Sequence, residues 1–254
     1  MTEVFKIDTD IYRINETVYP YVNVDAYLLD LKDKAVLIDT LEEEPNLLDT
    51  VRNITAKPLT VILTHGHPDH AGKALTKIIQ NHIPVYMNSE DLFLTEYRDQ
   101  ILDINRLNIE DIEIIDCKGH TPGSVTVKYR DNLFTGDVIG SGACWMQLKE
   151  SSSLTELLIN IKNLRNRVND EIKIYPGHYY QSDRVLDISY LDELIELTEM
   201  IIDNPEYGEE GDMYLGESHL KYRKAVYHLV HCLSNVWADL RISPCQFIST
   251  TNCD

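Results

Sequence analysis

The stretch Thr64-His65-Gly66-His67-Pro68-Asp69-His70 decides how this chain is read. It places three imidazoles and one carboxylate within six residues. The run before it, Thr60-Val61-Ile62-Leu63-Thr64, is β-branched and apolar on both faces, the pattern of a central buried strand. A helix is expected to begin near Ala71. Side chains at the C-terminal end of a buried strand stand on a rigid platform, where α/β folds place their sites. Packing does not explain the cluster, because burying it without a cation would strand many polar atoms.

Three isolated candidates lie further along, each beside a glycine that permits a tight turn. They are His120 in Gly119-His120-Thr121-Pro122-Gly123, Asp137 in Thr135-Gly136-Asp137, and His178 in Pro176-Gly177-His178. Five of the nine histidines fall in these four segments, where a structural role would scatter them. Strands are expected at Val22 to Leu31, Ala35 to Asp39, Pro84 to Met87, Ile112 to Ile115, Ser124 to Tyr129, Asn132 to Thr135 and Ile172 to Tyr175. Helices are expected after Pro45 and over Leu154 to Val168, the latter capped by Ser151-Ser152-Ser153. Strands interleaved with helices give an α/β layered core. From about residue 183 the periodicity reads as helical, with one stripe at Leu191, Leu194, Ile195, Thr198, Ile201 and Ile202. A second stripe falls at Val226, Leu229, Val230, Leu233 and Trp237, with the acid-rich 203–217 between them as a solvated loop.

The chain has 254 residues and a net charge of −19, ample for a real core. So acidic a chain does not grip nucleic acid through a general basic surface, and anionic membranes repel it. No apolar run approaches the roughly 18 residues needed to span a bilayer. The start, Met1-Thr2-Glu3-Val4-Phe5-Lys6, lacks a basic region followed by an apolar one, so a cytoplasmic protein is expected. Five cysteines without a CxxC pair read as free thiols.

The order His-x-His-x-Asp-His, lone His, lone Asp, lone His resembles the metallo-β-lactamase-fold hydrolases over roughly residues 10 to 182. Within them it looks most like the glyoxalase II (hydroxyacylglutathione hydrolase) type. The resemblance implies an αββα sandwich, with a catalytic domain over 1–182 and a C-terminal helical extension over 183–254 packed on it. It implies that His65, His67 and His120 hold a first metal, that Asp69, His70 and His178 hold a second, and that Asp137 bridges them. Asp39 matches the family's first motif and is expected to support the ligand loop from behind. The cofactors implied are two divalent ions, zinc from the His-rich set, with iron or manganese as alternatives. Two Zn²⁺, less two carboxylates and a bridging hydroxide, leave the site at about +1 inside an acidic protein. Attack by that hydroxide on an acyl carbon needs no protein nucleophile, so Asp69 and Asp137 carry the catalytic role as metal ligands.

Some neighbours depart from glyoxalase II. After Asp137 stands Gly142-Ala143-Cys144-Trp145-Met146, bulky and apolar, in place of a Gly-Cys-Gly-Arg-like stretch. After His178 stands Tyr179-Tyr180 in place of Glu-Tyr. Trp145, Met146, Tyr179 and Tyr180 are therefore candidate substrate contacts, and Lys221, Arg223 and Lys224 are the basic residues that could replace the glutathione grip. The expected reaction is hydrolysis of a thioester, activated ester or lactone of a small molecule. A thiolate, with pKa near about 8.5, departs without a proton donor. The alternative is a persulfide dioxygenase-like oxidoreductase holding one iron by His65, His120 and Asp137. The C-terminal segment either covers the pocket or forms a homodimer interface.

Overall fold

In the computed structural model the described residues are 2–19, 22–140, 144, 146, 148–179, 186–215, 218–227, 230–236 and 245–246. Two compact units divide after Ile112, a different boundary from the one expected after residue 182. Residues 183–254 fall within the second unit.

The first unit is built on one seven-stranded sheet. Its strands are β1 (Thr2–Lys6), β2 (Ile11–Tyr19), β3 (Val22–Asp30), β4 (Ala35–Ile38), β5 (Leu59–Ile62), β6 (Val85–Met87) and β7 (Leu102–Asp103), in that spatial order. The first four pair antiparallel, and β4 to β7 are parallel. Parallel neighbours need a crossover, and helices α1 (Leu47–Ile54) and α2 (Ala74–Gln80) supply it. All four residues of β4 are fully buried, as an apolar strand with no polar face must be. Leu28, Leu37 and Val61 from the sheet pack with Leu47, Val51, Leu75 and Ile78 from the helices. Each such side chain contributes about 1.5–3 kcal/mol by leaving water. Strands β1 and β2 were not anticipated, since their polar, aromatic and β-branched residues mix without clean alternation.

The second unit carries a four-stranded sheet in the order β11 (Lys173–Pro176), β10 (Asn132–Gly136), β9 (Val125–Tyr129), β8 (Ile112–Asp116). Strand β10 pairs antiparallel with β9 and parallel with β11. Helix α3 (Leu154–Arg165) begins where Ser153 accepts the Glu156 N–H at 3.1 Å, the cap expected from the serines. Helix α4 (Ile188–Asp203) lays Leu191, Leu194, Leu197 and Ile201 into the core that holds Leu157, Ile161 and Leu164 of α3.

Beyond α4 the helical expectation is overturned. The described residues here form a four-stranded antiparallel sheet of β12 (Glu209–Leu215), β13 (Ser218–Tyr227), β14 (Val230–Val236) and β15 (Cys245–Gln246). Within the stripe from Val226 to Trp237, Val230, Cys232 and Val236 also fit a period of two, and Val and Tyr favour strands. The acid-rich segment is a strand as well, because it finds a basic partner. Glu209, Glu210 and Asp212 stand opposite Lys224, Arg223 and Lys221 in the register of β12 and β13. His228, Leu229 and Trp237 lie outside the described residues.

Helix α4 belongs to the second unit's core, so Leu194→Ala should destabilise the protein by about 2–5 kcal/mol, as buried Leu truncations do. Urea unfolding checks this, and a loss below about 1 kcal/mol would mean that α4 is an independent appendage. Cys117 is fully buried, and burial followed by the charge of Asp116 pushes its thiol up to about 12. A thiol so held is not a thiolate at neutral pH. Alkylation followed by peptide mapping should leave Cys117 unmodified at pH 8 until denaturant is added.

Candidate metal centre

In the first unit the ligand loop follows β5, at the C-terminal edge of the parallel strands. His65 and His70 are buried, and their ring centroids stand 4.2 Å apart. The rings of His65 and His67 meet edge-on at 4.8 Å. Asp69 Oδ2 lies 3.7 Å from His70 Nε2.

The device that orders these rings is Asp39, just after β4. Its carboxylate is buried and accepts three hydrogen bonds. Oδ1 takes the Thr64 N–H at 2.7 Å. Oδ2 takes the Thr64 hydroxyl at 2.8 Å and His70 Nδ1–H at 2.8 Å. With its proton given to Asp39, the Thr64 oxygen is the acceptor for His65 Nδ1–H at 3.1 Å. One carboxylate thus sets the tautomer of two histidines, His70 directly and His65 through Thr64. Both present Nε2 as the basic nitrogen, the arrangement that metal-binding histidines use.

The backbone around Asp39 is bent to do this. Asp39 and Leu41 both lie in the left-handed region, at φ 62° and 60°, a costly conformation that clusters at functional sites. Thr40 ties down the end of the ligand loop: its N–H donates to His70 O at 2.8 Å, its hydroxyl to the same oxygen at 3.0 Å. Gly72 then passes so close that a Cβ there would sit 2.0 Å from Leu41 O, which only glycine avoids. Glu16 of β2 is buried and accepts the N–H groups of Glu42 and Glu43, each at 3.0 Å. Burial and the neighbouring charge of Asp69, then of Glu43 and Glu16, raise the carboxyl of Glu42. Negative charge is concentrated here, as a cation site requires.

In the second unit the three isolated candidates come together. Asp137 follows β10 and His178 follows β11, the C-terminal ends of two adjacent parallel strands. Gly136 turns the chain at φ 50°, and its carbonyl accepts the Gly177 N–H at 2.8 Å, so the two turns are stitched to each other. His120 is buried in the turn before β9, where Thr121 N–H donates to Ser124 Oγ at 3.0 Å. Leu157 of α3 approaches so closely that a Cβ on Gly119 would meet it at 2.5 Å. Asp137 Oδ2 lies 3.2 Å from His178 Nε2 and 3.7 Å from His120 Nε2. Donor atoms sharing a tetrahedral cation with bonds near 2.05 Å are about 3.3 Å apart, so imidazole nitrogens and carboxylate oxygens at these spacings suit a metal.

The proposed substrate contacts fare differently. Met146 is fully buried in the core with Leu154 and Leu157, so it serves packing instead of facing a pocket. Tyr179 is half-buried and stacks on Tyr175 with centroids 6.3 Å apart. Trp145 and Tyr180, and the side chains of Lys221 and Lys224, lie outside the described residues. Arg223 is no substrate grip: its guanidinium is buried and donates to the carbonyls of Glu206 and Gly208 and to the carboxylates of Glu206 and Glu210. Cys144 is buried, with its thiol directed to the Val138 carbonyl at 2.7 Å. Reading the sequence missed Thr64 and Glu16 as supports, because neither lies in a motif whose spacing implies metal chemistry. Asp39→Ala should lower zinc affinity about 10–100-fold in chelator competition, since support of this kind is worth that much. Unchanged affinity would mean that the ligand loop holds its shape without Asp39.

Comparison with known proteins agrees with this geometry. Residues 19–197 match the metallo-beta-lactamase superfamily. Hydroxyacylglutathione hydrolase 1 of Vibrio vulnificus is 31% identical over 180 residues, covering 66% of this chain and 68% of that protein. A probable polyketide biosynthesis zinc-dependent hydrolase of Bacillus subtilis, PksB, is 25% identical over 185 residues, covering 66% of this chain and 80% of that protein. Among solved structures, the mono-zinc form of metallo-beta-lactamase FIM-1 from Pseudomonas aeruginosa superposes with a TM-score of 0.64 at 17% identity, over 78% of this chain and 95% of that one. That likeness is one of fold. Among the described residues no helix is long and apolar enough to cross a membrane. The chain belongs to the metallo-β-lactamase superfamily and is a metal-dependent hydrolase with hydroxyacylglutathione hydrolases among its relatives.

Proposed function

We propose that this protein hydrolyses a small thioester, or a related activated ester or lactone, at a dinuclear metal centre. By the resemblance, His65, His67 and His120 would hold one ion, Asp69, His70 and His178 would hold the other, and Asp137 would serve both. The observation that carries the reading is Asp137: one carboxylate oxygen faces both His178 and His120, the histidines assigned to different ions. Zinc is the ion favoured by the His-rich donor set and by the zinc-dependent relative.

When bound, the ions supply a water activated towards about neutral pKa and a Lewis acid for the substrate carbonyl. The protein's own part is to hold the donors. Asp39 fixes His70 and, through Thr64, His65, so that each ring presents its basic nitrogen. The stitched turns after β10 and β11 fix Asp137 and His178. A thioester suits this set because its thiolate leaves unprotonated, near a pKa of about 8.5. The hydroxyacylglutathione hydrolase relative supports that class.

Thiol release from a panel of lactoylglutathione and acyl-CoA thioesters, using protein of counted metal content, tests the reading. Release with two ions per chain is expected. Two ions and no release would move the substrate to lactones or other esters, while one iron with oxygen uptake would favour the dioxygenase alternative. Asp137→Asn should nearly abolish turnover and lose one ion; full activity with both ions retained contradicts the bridging role.

A further inference from the structure

A second buried carboxylate reaches the ligand loop from the strand on the other side. In the sheet, β5 lies between β4 and β6, so the loop after β5 is flanked by those after its two neighbours. Asp39 comes from the β4 side. On the β6 side the chain enters a short 3₁₀ turn, Ser89–Leu94, started by the Asn88 side chain accepting the Glu90 N–H at 3.0 Å. Asp91 in this turn is 0% exposed, and its Oδ2 accepts the N–H of Gly66 at 3.2 Å. Contact is tight around that bond. A Cβ on Gly66 would sit 2.8 Å from Asp91 O and 2.9 Å from the Leu94 Cβ, so the loop and the 3₁₀ turn fit only with glycine between them.

A carboxyl group taken out of water costs free energy unless it is hydrogen-bonded, and the Gly66 N–H is a donor it finds here. The Gly66 N–H belongs to the peptide that joins His65 to Gly66, immediately before His67, so a rotation of that peptide would carry both rings with it. Asp39 governs the ring nitrogens of His65 and His70, but no bond from it reaches this peptide. We propose that Asp91 is a positioning residue for the metal centre, fixing the His65–Gly66 peptide so that His65 and His67 aim at one ion. This rests on the reading that those two histidines are metal ligands. Together the two carboxylates clamp the loop from opposite flanks, Asp39 by the rings and Asp91 by the backbone.

The test is zinc affinity by chelator competition, with the visible spectrum of the cobalt-substituted protein as a readout of ligand geometry. Asp91→Ala should fold as the wild type by circular dichroism and bind zinc about 10–100-fold more weakly, with shifted cobalt bands. Asp91→Asn keeps an oxygen acceptor for the Gly66 N–H and should restore affinity to within about threefold and restore the spectrum. A folded Asp91→Ala with wild-type affinity and spectrum overturns the proposal, as does an Asp91→Asn as defective as Asp91→Ala. Should Asp91→Ala fail to fold, Asp91→Ser, too short to reach the N–H, takes its place. If that also fails, Asp91→Asn decides alone: near-wild-type binding sustains the proposal and a tenfold loss overturns it. Wild-type protein that takes up no zinc would overturn the metallohydrolase reading itself, whereas wild-type affinity in Asp91→Ala removes this inference alone.

Discussion

The buried carboxylate of Asp39 is the group on which the ligand loop depends. It accepts a backbone N–H, a hydroxyl and an imidazole N–H at 2.7–2.8 Å, so its charge is compensated by three donors rather than by a counter-ion. Each donor is part of the loop it orders. Removing the acceptor would leave those donors unpaired in the interior, a larger cost than the net value of any one bond. The left-handed backbone at Asp39 and Leu41 is the strain accepted to aim this group, and Glu16 and Gly72 hold the bent segment in place.

The same architectural device recurs through the chain. Every proposed donor but His120 stands just beyond the C-terminal end of a parallel strand: the ligand loop after β5, Asp137 after β10 and His178 after β11. The supports follow the rule too, with Asp39 after β4 and Asp91 after β6. Parallel strands are buried on both faces and cannot shift register without exposing apolar residues, so their ends are fixed points. Loops hung from fixed points can carry polar chemistry with little freedom.

Charge does two different jobs in this acidic chain. Near the ligand loop, burial and then the neighbouring charges of Asp69, Glu43 and Glu16 raise the carboxyl of Glu42. Further along, acids on β12 lie opposite bases on β13, and Arg223 gathers Glu206 and Glu210. There the charges set strand register rather than chemistry. A count of acidic residues does not separate these roles; the neighbours do.

The proposed donors stand out in the sequence because metal chemistry constrains residue type and spacing together: His65, His67, Asp69 and His70 crowd into one turn after an apolar strand. Strands β3 to β6 and helices α1, α3 and α4 were legible too, since burial on both faces or on one stripe leaves a periodic trace. Residues 209–236 were not. Their apolar positions fit periods of 3.6 and 2 about equally, and pairing with a distant strand decided between them. Met146 looked like a pocket residue beside Asp137 and is core, since proximity in sequence says nothing about which way a side chain is buried. Asp91 and Glu16 were invisible for the converse reason. A lone acid becomes a support only when the fold brings a backbone N–H to it. The sequence by itself determined which residues crowd at the proposed metal centre. Only the tertiary structure decided which atoms hold those residues still, because hydrogen bonds across neighbouring strands have no fixed spacing along the chain.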